Sequence, residues 1–185
     1  MNTSYCDSIL GHYLNCWKSE PQIYIWERGP IQSLPYEFRT LEFAPSAARQ
    51  MWTYATCCMS EPDDIDPVEL HLFSTIKDES LIELLTALAY YYRNTTRVGL
   101  NHTVNFGKLW QGASKCEHGL VSLPYLDGPP LENLEIGNKT VKFYWLIPLT
   151  KAEVEYMKRH GVDALERKFE GSSFNYLDPC GRSVT

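Results

Sequence analysis

Three groups of side chains in this chain have the chemistry to act on, or hold, another molecule. The first is thiol and imidazole. Cys116-x-His118, with His102 and His71 elsewhere, offers the ligands zinc prefers. The spacing argues against a site, because no Cys-x-x-Cys knuckle and no closely spaced histidine pair accompanies them. A nucleophile pair could likewise be drawn from Cys116 or Cys58 with His71 or His102, yet nothing in the spacing fixes its geometry. Gly-rich phosphate loops, a Gly-x-Ser-x-Gly elbow and a His-Glu-x-x-His motif are absent. We therefore expect no catalytic residue, no metal and no cofactor.

The second group is carboxylate. Glu61, Asp63, Asp64 and Asp66 place four acids within six residues, and Pro62 and Pro67 stiffen the segment. Such a cluster either meets a basic surface or is an ordinary solvated loop. The third group is amide and aromatic. Asn101-His-Thr-Val-Asn105 and the loop of Trp110 suit recognition, and equally suit tying loop backbone together inside a fold. In Tyr90-Tyr-Tyr92, neighbours on a helix lie about 100° apart, so Tyr92 continues a buried stripe, Tyr90 or Tyr91 must face elsewhere, and Tyr91 is the preferred exposed anchor. The partner-binding candidates are thus Asp63, Asp64, Asp66, Tyr91, Asn101, His102 and Trp110. Glu69 and His71, on one strand face, could hold a cation or a partner; a solvated or helix-covered contact is the favoured reading.

Positioning these groups falls to elements with legible periods. Met51 to Cys58 is apolar on both faces, which indicates a strand covered on both sides. After the acidic turn, Val68-Glu-Leu-His-Leu-Phe73 alternates with period two, the mark of a half-buried strand. Tyr5, Ile9, Tyr13 and Cys16/Trp17 predict an N-terminal helix over residues 4–18, ended by Pro21. Leu81, Leu84/Leu85, Leu88 and Tyr92 give the clearest helical stripe, with Asp78 or Ser80 as N-cap. Short strands are expected at Ile23–Trp26 and Leu41–Phe43, with a turn at Gly29-Pro30 between them. Further strands are expected at His102–Phe106, Gly119–Leu123 and Lys142–Ile147, with a turn at Asp127-Gly-Pro-Pro130. Thr150-Lys-Ala-Glu153 is a capping box that starts a helix, and Gly161 breaks that helix into a helix–bend–helix unit over 150–170. The sum is one α+β domain over 1–185, with a mixed, largely antiparallel sheet packed by helices.

Composition narrows the function. The net charge of -6 disfavours nucleic-acid phosphates and suits a basic protein partner or simple solubility. No secretory signal is visible, and the longest apolar run, Phe143–Ile147, cannot span a bilayer, so a cytoplasmic protein without a membrane partner is expected. The six cysteines are then expected to stay thiols.

Eight stretches in order resemble the suppressor of fused domain family: Leu41–Pro45, Met51–Thr56, Val68–Phe73, Leu84–Tyr91, Asn101–Gly107, His118–Asp127, Phe143–Thr150 and Phe174–Pro179. The short, stand-alone bacterial members are the nearer likeness. Animal relatives clamp a transcription-factor peptide between this domain and a second one; this chain ends at Thr185, so that clamp is expected to be missing. In this resemblance Tyr91 matches a peptide-contacting tyrosine, and Asn101 stands where those relatives carry an aspartate. Bacterial members are often encoded beside toxins. The resemblance thus implies a non-catalytic immunity protein that occludes a cognate toxin, or alternatively a regulatory scaffold that sequesters a transcription factor or signalling protein.

Overall fold

The computed structural model describes residues 4–27, 31–112, 114–172 and 174–185; the turn expected at Gly29-Pro30 lies outside them. Helix α1 (Tyr5–Trp17) starts at Ser4, whose hydroxyl accepts from the Asp7 N–H, and ends at Lys18 in the left-handed conformation. It buries Cys6, Ile9, Tyr13 and Trp17. Strands β1 (Gln22–Tyr24), β2 (Arg39–Phe43), β3 (Trp52–Cys57) and β4 (Val68–Ser74) follow, then α2 (Ser80–Asn94), β5 (Thr103–Asn105) and β6 (Cys116–Ser122). The chain closes with α3 (Pro129–Glu132), β7 (Asn133–Ile136), β8 (Lys139–Thr150), α4 (Lys151–His160) and α5 (Val162–Gly171).

The strands form one sheet in the order β1-β2-β3-β4-β8-β6-β5, with β7 paired to the first part of β8. Every pairing among the described residues is antiparallel except β4 with β8, so the sheet is mixed and largely antiparallel. Helix α2 covers one face, where Leu81, Leu84, Leu85, Leu88 and Tyr92 meet Leu70, Leu72, Val121 and Leu146. The other face is shared. One cluster gathers α1 over Leu41, Phe43, Ala55 and Phe143; another gathers α4 and α5 over Phe73, Leu120, Trp145 and Ile147. The central strands are thus covered by helices on both faces.

The capping box at Thr150 and Glu153 is complete, and Gly161, at φ 87°, separates α4 from α5. Three expectations change. Strand β8 runs twelve residues, through Pro148; α3 takes Pro129 and Pro130 from the stretch read as a turn, and β7, partner of β8, follows it where no strand is expected. All seven residues of β4 are buried, because α1 and its neighbours cover the face that carries Glu69 and His71. Cys6 and Cys58 are joined as a disulfide with Cα atoms 5.6 Å apart, whereas Cys16, Cys57, Cys116 and Cys180 are free thiols. A regular strand would send Cys57 and Cys58 to opposite faces. The strand instead ends at Cys57, and Cys58 adopts φ 65°, which turns it toward α1.

Candidate protein-interaction surface

The acidic turn is not a free patch of charge. Arg93 of α2 pairs with Glu61 and, at 2.6 Å, with Asp64. The Asp64 carboxylate also accepts from the Glu61 N–H, and Lys139 donates to the Asp64 carbonyl at 2.6 Å. Tyr92 donates to the Asp66 carbonyl, and Arg97 stands 3.7 Å from the Asp66 carboxylate. Three cations thus offset most of the turn's charge, and the loop is fastened to the end of α2. Asp63 is exposed and has no ion pair among the described residues.

Trp110 is corrected outright as a surface anchor. It is 1% exposed, packed edge-on against Phe106, and among the largest fully buried side chains. Its backbone N–H donates to the Cys116 carbonyl, so the loop folds inward to complete the α2 core, where an indole gains most. Tyr91 does stand at the surface, 36% exposed, while Tyr92 turns inward as helical spacing requires.

Asn101 and His102 are exposed beside the last strand of the sheet. Asn101 sits at φ 66°, a conformation that asparagine and aspartate tolerate better than most residues. Its N–H donates to the Val121 carbonyl at 2.8 Å; the His102 N–H donates to the Gly99 carbonyl, and His102 Nδ1 accepts from the Gly99 N–H. These bonds fix the entry into β5, which pairs only with β6 among the described residues. The Val121 N–H donates to the His102 carbonyl and the Phe106 N–H to the Glu117 carbonyl, so alternate residues from 102 face β6. By the alternation of an antiparallel ladder, the backbone N–H and C=O of Thr103 and Asn105 point away from the sheet. A three-residue open edge results. Lys108, just beyond it, pairs at 2.9 Å with Glu83 of α2, from which Ala87 and Tyr91 follow at four-residue steps along the exposed side of that helix.

The polar groups with strained protonation lie elsewhere. The Glu69 carboxyl is fully buried and accepts from the Thr56 hydroxyl (2.5 Å), the Ser60 hydroxyl and N–H (2.7 and 3.1 Å) and the Met59 N–H (3.3 Å). Burial raises its pKa to about 7 against the pull of those donors. His71 is equally buried; burial first, then the nearby Arg49 charge, lower its pKa to about 3. It is therefore neutral, and the 3.8 Å approach of its Nε2 to Asp127 is a polar contact rather than an ion pair. Asp127 is held by Arg49 and by the Trp17 indole N–H at 2.9 Å. The Arg49 guanidinium lies over the rings of Trp17 and Phe73, 5.1 and 5.4 Å from their centroids. The result is a polar seam between the α1 cluster and the α4–α5 cluster. Its central pairing, Arg49 with Asp127, has no signature in the sequence, where Asp127 reads only as a turn residue.

Cys116, His118, His102 and His71 do not assemble. The Cys116 thiol donates to the Pro179 carbonyl, and burial pushes its pKa to about 11, so little thiolate is present at neutral pH. Among the described residues, no group of three His, Cys, Asp or Glu is placed to hold a metal ion. Among them too, no helix is long and apolar enough to cross a membrane.

Comparison with known proteins places this geometry. A crystal structure described as a suppressor of fused homologue from Neisseria gonorrhoeae FA 1090 superposes with a TM-score of 0.86 at 29% identity, covering 98% of this chain and 97% of that one. A chain of the Sufu–Fu complex shares the fold at a TM-score of 0.70 and 15% identity, over 98% of this chain and 93% of that chain. Drosophila Suppressor of fused does so at 0.64 and 14%; the match covers 97% of this chain and 50% of that one. No curated protein matched by sequence. The model of the suppressor of fused family matches residues 35–180, which takes in most of the sheet, the open β5 edge and α2 through α5, and on that match the chain belongs to the suppressor of fused family.

Proposed function

We propose that this chain is a non-catalytic protein-binding domain that neutralises a cognate bacterial toxin by occluding it. The observation that carries the binding role is the open β5 edge. Outward N–H and C=O groups at Thr103 and Asn105 offer an extended segment a ladder of main-chain bonds. Asn101, His102 and Tyr91 border that edge or the exposed side of α2, and supply side-chain contacts around it. An edge this short resists self-association, as native edges must. The toxin partner follows from the likeness to stand-alone bacterial members. The role places the chain with its target in the cytoplasm, where a disulfide is uncommon. Burial of Cys6 and Cys58, 5% and 1% exposed, shields theirs from soluble reductants.

The test uses proline, which removes a backbone donor. Thr103→Pro with Asn105→Pro deletes the outward N–H groups and leaves the bonds from residues 102, 104 and 106 to β6 in place. The wild-type chain should bind a cognate toxin domain and rescue cells that express it, and the double variant should fail to bind or rescue while melting within a few degrees of wild type. Rescue by the double variant at wild-type level removes the edge from the interface. Absence of binding and rescue by the wild-type chain removes the immunity role.

A further inference from the structure

On the face away from α2, a cavity of about 380 Å³ opens between α5, the end of β6, the middle of β8 and the C-terminal segment. Its walls are aromatic: Trp145 and Tyr176 meet edge to face at 5.0 Å, Phe169 stacks on Phe174 at 4.1 Å, and Tyr125 stands at the side. Two carboxylates, Glu166 and Glu170, complete the lining. We propose that this cavity receives an arginine side chain of the partner protein. The inference rests on the protein-binding role and adds a second contact, distinct from the β5 edge.

The charges point one way. Glu166 and Glu170 lie one turn apart on α5, an arrangement of like charges that weakens an isolated helix. Among the described residues neither carboxylate has an ion-pair partner. The Tyr125 hydroxyl donates to Glu166 at 3.3 Å and holds that carboxylate beside the cavity. An anionic ligand would be repelled and a purely apolar one would strip water from both acids without replacing it. A cation over aromatic faces satisfies both walls at once.

The choice of arginine comes from the adjacent seam, where the same chain already solves this recognition problem. Arg49 lies over Trp17 and Phe73 and pairs with Asp127. Phe73 in turn contacts Trp145 at 5.3 Å, so the cavity continues the same aromatic row with a fresh pair of carboxylates at its end. Arg49 does not repel an incoming guanidinium strongly, because Asp127 neutralises it. A planar guanidinium stacks on the rings and forks onto a carboxylate; an ammonium does only part of this.

Titration of the intact chain with N-acetyl-arginine amide, followed by heteronuclear NMR, tests the site directly. Saturable shifts should centre on the Trp145 indole N–H and on α5. The citrulline analogue, equal in shape and uncharged, should produce no saturable shift, and Glu166→Gln with Glu170→Gln should weaken the arginine probe about tenfold or more. Both acids lie at the rim of an amphipathic helix and repel each other, so this variant should melt at or slightly above the wild-type temperature. No saturable response, or equal responses to arginine and citrulline, overturns the proposal. The titration needs no partner, so its failure is separate from failure of toxin rescue.

Discussion

The two faces of β4 bury equally well by opposite means. Val68, Leu70 and Leu72 meet α2 through apolar contact alone, and nothing there depends on charge. Glu69, His71 and Phe73, on the reverse, are as deeply buried, but among hydroxyls, a neutral imidazole and an arginine wedged between two rings. The difference teaches where specificity resides. An apolar face tolerates exchange of one hydrocarbon for another, whereas the polar face rests on particular partners: Glu69 keeps its hydroxyl and N–H donors and Asp127 its Arg49, while both His71 ring nitrogens and Asp127 Oδ2 are buried without a hydrogen bond among the described residues.

The sharpest way to break this contrast is to orphan one member of the seam. Asp127→Ala leaves the Arg49 guanidinium without its counter-charge and should cost about 3–5 kcal/mol in urea unfolding. Replacing both, as Arg49→Leu with Asp127→Leu, should recover much of that loss, because neither charge of the pair then remains and only the Trp17 indole N–H loses its acceptor. On the opposite face Leu70→Ala should cost about 2–5 kcal/mol and has no second substitution of this kind to rescue it. If the double leucine variant is no more stable than Asp127→Ala, the seam is held by packing and not by paired charge.

The contrast also marks how far the sequence was legible. The hairpin, α2, the capping box at Thr150 and the break at Gly161 are local signals, and each sits where its residues indicated, except that α2 has Glu79 at its N-cap, between the expected Asp78 and Ser80, with no side-chain cap bond. The polar face of β4 was visible as a pattern, but alternation cannot say whether Glu69 faces water or a helix distant in sequence. Arg49 and Asp127 lie 78 residues apart and share no periodicity. Trp110 and α3 were lost for a related reason: a loop rich in Gly and Ser, and a Pro-Pro step, resemble solvent-facing turns until the tertiary core claims them. Helical phase, by contrast, placed Tyr92 inward and left Tyr90 or Tyr91 to face outward, and Tyr91 is the exposed one. The β5 edge needed the strand order, which no local pattern carries.

A second and smaller effect separates the acid from the base within the polar face. The Glu69 pKa rises from 4.5 to about 7 on folding, so its contribution is fully present below pH 4.5 and is lost as pH rises to 7. The His71 pKa falls from 6.5 to about 3, so its contribution is full above pH 6.5 and is lost as pH falls. Between pH 4.5 and 6.5 the two slopes oppose each other, each about 1.4 kcal/mol per pH unit, and wild-type stability from this pair should be nearly flat. Glu69→Gln should expose the histidine and make stability rise with pH in that window. His71→Phe should expose the acid and make it fall. Parallel pH profiles for both variants and wild type would sink the assignment.

The smallest effect belongs to the rim of the α2 face, where the acidic turn is fastened. The Asp64 carboxylate pairs with Arg93 and accepts from the Glu61 N–H, so Asp64→Asn, which leaves the backbone bond from Lys139 in place, should lower stability by about 1 kcal/mol, the worth of a partly exposed pair with good geometry. Asp63 has no such partner among the described residues, and Asp63→Asn should leave unfolding unchanged. The binding effects should invert: with a basic partner, Asp63→Lys slows association and reduces its salt dependence, because its charge is the least compensated in the turn. Equal kinetic effects at positions 63 and 64 would show that the pairing with Arg93 does not hold in solution and that the whole turn acts as one acidic patch.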